Sequence, residues 1–313
     1  MTKYKIIANP ISGRGDGGRH IPDIEEAFRK SGLDFSLVRT EYPGHAVKLT
    51  QQAVAEGYDY VIASGGDGTA NDVINGLMLA KKAGLGKAAM GVITVGRGND
   101  FAFSMGIPAG WQACCKLIAE DLKREIDIGL VTGGDFPEGR YFGNGVGIGF
   151  DAVVGFIAVK LKPLSGFLSY LVAALETIFI YYKAPLVKIV LDGAETITQP
   201  SLMVSVMNGR RLGGGFMLAP NGLADDNEFD LNIVQQASKF ENLLLMLRYI
   251  QGKQAGHPKI RLCQAKKVSV TALEGVLPVH ADGETFCKEG SSLEIEIFPR
   301  QIVLISVAPE KVL

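Results

Sequence analysis

Short apolar runs rich in β-branched residues alternate with helix-period segments through the first 130 residues. The runs Tyr4–Ala8, Phe35–Thr40, Tyr60–Ser64, Gly91–Val95 and Ile126–Val131 read as strands. Between them, Ile21–Ser31, Ala46–Glu56, Asn71–Ala83 and Trp111–Leu122 have helical periodicity. That rhythm predicts βαβ units, a mainly parallel sheet and helices on both faces. Ligands of such sheets sit beyond the carboxyl ends of the strands. Every glycine-rich or Asn/Asp-rich loop in this half falls there.

After about residue 132 the rhythm changes. Arg140–Gly149, Leu186–Leu191, Leu202–Met207, Phe229–Val234, Ile260–Ala272, Val276–Ala281 and Leu293–Ile297 read as strands. Two substantial helices interrupt them, near Gly166–Tyr181 and Phe240–Gln251. Strands following strands predict a second, antiparallel β-rich domain. The expected division is an α/β domain over residues 1–130 and a β-rich domain over residues 131–299. The last run, Gln301–Val307, either ends the second sheet or returns to the first; residues 300–313 are assigned here to the first.

A length of 313 residues suits two domains. The net charge of −1 gives no electrostatic case for nucleic acid. Cys114, Cys115, Cys263 and Cys287 have no metal-ligand spacing and fit buried thiols of a reducing cytoplasm. Pro163–Tyr182 is almost wholly apolar and about long enough to cross a bilayer. Glu176 lies inside it, however, Lys160, Lys162 and Lys183 flank it, and Pro185 stops it. An amphipathic helix packed on a sheet or touching a membrane surface is therefore expected, not a transmembrane span.

The chemistry concentrates in a few loops. Ser64-Gly65-Gly66-Asp67-Gly68-Thr69-Ala70-Asn71-Asp72 joins a strand to a helix, an arrangement that suits phosphate. No lysine follows, so this is not a P-loop, and Asp67 would repel phosphate unless a cation such as Mg²⁺ lay between them. Asn9-Pro10-Ile11-Ser12-Gly13 follows the first strand, and Gly96-Arg97-Gly98-Asn99-Asp100-Phe101 the fourth. With Asp127, Asp67 and Asp100 make three aspartates at or near strand ends, which implies a shared cation or a pairing Lys/Arg. In the second half, the turn Asp225-Asp226-Asn227-Glu228 offers oxygen ligands or is an Asp-rich turn. Asp282-Gly283-Glu284 offers a general base or is a hairpin turn.

Taken in order, Asn9-Pro10-x-Ser12-Gly13, Gly65-Gly66-Asp67-Gly68-Thr69-x-Asn71, Gly96-x-x-Asn99-Asp100-Phe101-Ala102, Asp225-Asp226-x-x-x-Asp230 and Asp282-Gly283-Glu284 resemble the diacylglycerol kinase catalytic family. The soluble bacterial lipid kinases are the most similar members. The resemblance implies an α/β plus β fold, with a three-layer α/β nucleotide-binding domain, a β-sandwich-like domain and the active site in the cleft between them. It places ATP against Asn9, Pro10, Ile11, Ser12 and Gly13, against Thr40, and against Gly65, Gly66, Asp67, Gly68, Thr69, Ala70, Asn71 and Asp72. A catalytic Mg²⁺ network would use Asp67, Asp100 and Asp127. Asp282 and Glu284 would act on the lipid hydroxyl. A structural Mg²⁺ would take Asp226 with backbone carbonyls of Leu223 and Glu228.

Three positions depart from the family pattern: Arg97 replaces a Thr or Ser, Thr94 a proline and Asn227 a glycine. Arg97 either pairs with nucleotide phosphates or points away. The expected activity is transfer of the γ-phosphoryl of ATP to a lipid hydroxyl, diacylglycerol to phosphatidic acid by default. The expected setting is cytoplasmic and peripheral to a membrane, where an exposed edge of the β-rich domain would admit a homodimer. The alternatives are an NAD kinase-like phosphotransferase and a non-catalytic nucleotide- or lipid-binding regulator.

Overall fold

Four parallel strands lie side by side in the order β2-β1-β3-β4 in the computed structural model, which describes residues 2–96, 98–161, 167–181 and 183–308. They are β1 (Lys3–Ala8), β2 (Asp34–Arg39), β3 (Tyr60–Gly65) and β4 (Ala89–Thr94). Every residue of β3 is buried, as a central strand covered on both faces requires. The chain clusters into two units, one running to Asp127 and resuming at Arg300, the other Ile128–Pro299. In the first unit Leu304 pairs in parallel with Met90, so the closing run joins this sheet beside β4.

The first unit also contains α1 (Asp16–Arg19), α2 (Ile21–Lys30), α3 (His45–Ala55), α4 (Asp67–Lys82), α5 (Asp100–Ser104) and α6 (Trp111–Glu120). Helix α4 starts four residues before the expected Asn71. Asp, Gly and Thr are poor helix formers, but Thr69, Ala70 and Asn71 are buried in this first turn and packing outweighs propensity.

In the second unit, β5 (Lys123–Gly133) enters from the first and pairs with β6 (Phe136–Phe142). The strands β7 (Gly145–Gly149), β8 (Leu186–Leu191) and β9 (Glu195–Met207) follow, then a short ribbon, β10 (Arg211–Leu212) with β11 (Phe216–Met217). The last six are β12 (Phe229–Gln235), β13 (Ile260–Ala265), β14 (Lys267–Glu274), β15 (Leu277–Ala281), β16 (Glu284–Gly290) and β17 (Ser292–Ile305). One sheet runs β16-β15-β7-β9-β12-β13, all antiparallel. The other runs β9-β8-β14-β17-β5-β6, and β9 is long enough to serve both. Val146, Ile148, Val206 and Val279 from the first sheet bury against the same core as Val187, Ile189, Val268 and Ile295 from the second. Phe142 and Phe229 stack within it at 5.5 Å. This is a β-sandwich.

Two expected strands are each two. Arg140–Gly149 breaks between β6 and β7, and Ile260–Ala272 breaks at Lys266. The second break is made from a distance: Asp192 Oδ1 accepts the Lys266 and Lys267 N–H groups at 2.9 and 2.8 Å. Helix α7 (Phe150–Ala158) is an addition to the expected elements, and α8 (Phe167–Glu176), a π-helical turn (Thr177–Tyr181) and α9 (Lys239–Gln251) complete the unit. Residues 163–166 and 182 of the long apolar segment, with Lys162 before it, fall outside the described residues. Among the described residues, no helix is long and apolar enough to cross a membrane. All four cysteines are free, and burial pushes the Cys115 thiol up to about 12.

Candidate active site

The parallel strands of the first unit end at one edge, and their loops are wired together there. Asn9 donates its backbone N–H to the Ser64 carbonyl at 2.9 Å and its side-chain amide to Thr69 Oγ1 at 3.1 Å. Its Oδ1 accepts the Ile11 N–H at 3.2 Å, which shapes the turn through Pro10 and leaves Ile11 exposed. Thr40 N–H donates to the Ala8 carbonyl at 2.9 Å, so the end of β2 joins the same edge. Ser12 opens a 3₁₀ turn, and Gly13, at φ 62°, lies against the Val95 carbonyl.

Gly66 is the N-cap of α4, and no side chain caps it. The first-turn N–H groups beside Gly68 and Thr69 and the helix dipole therefore favour an anion here. Asp67 Oδ1 accepts the Phe101 N–H at 2.9 Å, tying α4 to α5. Its other oxygen faces Gly98: a Cβ there would lie 2.9 Å from Asp67 Oδ2 and 3.9 Å from Asp100 Oδ2. The Asp67 and Asp100 carboxylates thus approach one backbone point. Asp127 is placed differently; it is fully buried in β5, and its Oδ1 accepts the Arg300 N–H at 2.8 Å. Among the described residues, no three His, Cys, Asp or Glu side chains converge as a metal group. Ala70 and Asn71 are buried, with Asn71 Oδ1 accepting the Asn75 amide at 3.2 Å; Asp72 is half-buried. Arg97 lies outside the described residues.

The loops after β3 and β4 touch backbone to backbone. Val95 and Gly96 N–H both donate to the Gly65 carbonyl, at 3.1 and 3.2 Å. A Cβ on Gly96 would stand 2.5 Å from Gly66 Cα and 2.8 Å from Asn99 Oδ1. Backbone cannot swing aside as a side-chain tip can. Gly96→Ala is therefore expected to push the loops apart and weaken nucleotide affinity by about tenfold or more. Titration calorimetry with an ATP analogue checks this.

On the second unit, Asp282-Gly283 is the two-residue turn between β15 and β16, with φ 47° and 83°. Positive φ at both central residues is the primed hairpin turn that an Asp-Gly pair favours. The turn does more than reverse the chain. Asp282 is buried, and its carboxylate accepts three backbone N–H groups: Gly143 at 2.8 Å, Asn144 at 2.9 Å and Gly145 at 2.9 Å. Its own N–H donates to the Gly145 carbonyl. Glu284, first residue of β16, is exposed.

Two residues that the sequence reading passed over complete this clamp. Asn144 donates to the Arg211 carbonyl at 2.9 Å, and Asn208 to the Gly143 carbonyl at 2.8 Å. Both asparagines are 1% exposed. Each precedes a glycine at the edge of an apolar strand, and that repeated Asn-Gly was the available signal. In the turn after Ala224, Asn227 adopts φ 62° and Asp226 Oδ1 accepts the Glu228 N–H at 3.1 Å, with Leu223 half-buried beside it. Burial, then the negative charges of Asp226 and Glu228, push the Asp230 carboxyl up to about 6.

Below the hairpin, His280, Gly147, Ser205 and Asn232 stand in register across β15, β7, β9 and β12. Ser205 donates to Asp151 Oδ2 at 2.8 Å, and Tyr249 donates to Asn232 Oδ1 at 3.0 Å. Burial pushes the Asp151 carboxyl from 3.8 up to about 7 and the His280 imidazole from 6.5 down to about 4. Folded Asp151 keeps its proton where the unfolded chain has lost it. Its stabilising contribution is complete below about 3.8 and is lost as pH rises towards 7. His280 acts in the opposite sense, its contribution complete above 6.5 and lost as pH falls to about 4. Asp151→Asn should therefore gain stability relative to the parent as pH rises from about 5 to 8. Thermal melts across that range check this; a constant difference would contradict it.

An α/β sheet with anion-suited loops at its carboxyl edge, and a β-sandwich with a clamped Asp-Gly-Glu hairpin, define a phosphotransferase architecture. The diacylglycerol kinase catalytic domain model matches residues 3–131. The YegS C-terminal NAD kinase beta sandwich-like domain model matches residues 144–306. A diacylglycerol kinase of Bacillus subtilis is 31% identical over 91% of this chain and 90% of its own. One of Staphylococcus aureus is 32% identical over 90% and 86%. The crystal structure of a diacylglycerol kinase from Bacillus anthracis str. Sterne superposes with a TM-score of 0.75 over 99% of this chain and 98% of that one, at 24% identity, and shares the fold. The chain belongs to the diacylglycerol kinase family, whose reaction is phosphoryl transfer to a lipid hydroxyl. A yeast NADH kinase, at 9% identity and a TM-score of 0.50, is similar in fold alone.

Proposed function

We propose that the chain transfers the γ-phosphoryl of ATP to the hydroxyl of diacylglycerol at a membrane surface, giving phosphatidic acid and ADP. The observation that carries this reading is the division of labour between the two units. One holds anion-suited loops with two carboxylates beside them; the other holds a rigid hairpin that presents Glu284. The names of the relatives supply the acceptor.

In this reading Asn9–Gly13, Thr40 and the α4 N-terminus from Gly65 to Thr69 seat the nucleotide phosphates. Ala70, Asn71 and Asp127 are buried and act by holding backbone in place. Asp67 and Asp100 suit Mg²⁺, a hard cation that completes its shell with water and phosphate oxygens and would neutralise phosphate charge. A second cation would take Asp226 with the carbonyls of Leu223 and Glu228, where it would relieve the negative charge that Asp226 and Glu228 bring to Asp230. Asp282, with three N–H groups on its carboxylate, positions the hairpin. That leaves Glu284 as the general base: it accepts the acceptor's hydroxyl proton while the lipid oxygen bonds to phosphorus and the bond to ADP breaks.

The test is ATP consumption with a panel of lipids in mixed micelles and with NAD as a control. Phosphorylation of diacylglycerol and not of NAD is expected. Phosphorylation of NAD with none of any lipid would overturn the reading.

A further inference from the structure

Helix α9 is apolar on two faces. Asn242, Leu245 and Tyr249 are buried, and Leu245 and Tyr249 pack against Leu202, Met203 and Val234 of the sandwich. On the opposite side Phe240, Leu244 and Leu247 are 70%, 47% and 51% exposed. Their i, i+4, i+7 spacing makes one continuous stripe. Lys239 and Arg248 lie one residue outside its ends and, at the helical angle, on its two opposite flanks. The helix has a single acid, Glu241, and it is occupied: it accepts the Ser238 N–H at 2.8 Å and the Lys259 ammonium at 2.9 Å. Phe179, 50% exposed, adjoins the N-terminal end, where the Lys239 ammonium donates to its carbonyl at 2.8 Å and stands over its ring. Lys253, also exposed, follows the C-terminal end.

We propose that this face of α9, with Phe179 beside it, docks on the surface of an anionic phospholipid bilayer; the inference rests on the lipid-kinase reading. Aromatic and leucine side chains flanked by cations, with no free acid among the described residues of the helix, match the layering of acyl chains under anionic head groups. Thirteen residues make a helix too short to span, so it lies in the plane of the interface. A second copy of the chain is the poorer occupant. Two-fold pairing through α9 would set Lys239 and Arg248 of one copy against the same cations of the other.

The experiment is co-sedimentation with phosphatidylcholine vesicles containing phosphatidylglycerol. It compares the parent with Phe240→Ser/Leu244→Ser/Leu247→Ser and with Lys239→Glu/Arg248→Glu, and turnover is read in parallel on a short-chain diacylglycerol dispersed as monomers. Both variants should bind the anionic vesicles about tenfold or more weakly and keep the parent's turnover on the dispersed acceptor. The proposal is overturned if the parent does not bind, if the triple variant binds as the parent does, or if that variant breaks a dimer while vesicle binding is unchanged. Normal vesicle binding by the parent, lost in the variants, with no lipid phosphorylated by any of them, would keep the docking face and remove the kinase reading.

Discussion

Glu284→Gln is expected to lower turnover on diacylglycerol by about 10²–10⁴ while fold and ATP affinity stay at parental values. Glutamine keeps the shape and length of the side chain but cannot take up a proton in the transition state. The residue is exposed at the start of β16, opposite Ala281 in the ladder, so the substitution disturbs no core packing. The kinetic signature separates this role from a binding role: kcat falls, and KM for ATP does not change. Full turnover in this variant would remove Glu284 as the base. If Asp282→Asn were also fully active, the hairpin would have no part in the chemistry.

Asp282→Ala is expected to cost several kcal/mol of stability and to abolish activity with it. Three backbone N–H groups lose their acceptor, and each buried donor left unsatisfied costs about 1–3 kcal/mol. The substitution also places alanine at φ 47°, where aspartate and asparagine are better tolerated. Asp282→Asn keeps that tolerance and one acceptor oxygen, and so should lose less. Denaturant unfolding of the pair measures the ordering directly. An alanine variant as stable as the parent would show that the clamp contributes nothing.

The parts of this protein that local pattern controls could be read from the chain. The parallel strands of the first unit announced themselves because each is a short apolar run bounded by glycine or polar loops. The features that escaped depend on tertiary partners. Helix α7 is apolar almost throughout and has no polar face to give a period. The break at Lys266 is made by Asp192, 74 residues earlier in the chain. In the sequence Asp282-Gly283 reads first as a hairpin turn and second as the place of a general base. The structure shows the hairpin, and a clamp no local pattern announces, because the Asp282 carboxylate holds the backbone of Gly143–Gly145. The early start of α4 escaped for the same reason, since only the packing of Thr69, Ala70 and Asn71 pulls those residues into the helix. Asp67 gained definition: the sequence grouped it with Asp100 and Asp127 near strand ends, and the structure adds that its Oδ1 ties α4 to α5 through the Phe101 N–H.

The most direct measurement is ³¹P NMR of mixed micelles holding diacylglycerol, ATP, Mg²⁺ and the protein. ADP and a lipid phosphomonoester are expected to grow together in equal amounts with the parent chain, and both to grow about a hundredfold or more slowly with Glu284→Gln. ADP accompanied by inorganic phosphate alone, or a monoester formed equally well by Glu284→Gln, would contradict this mechanism.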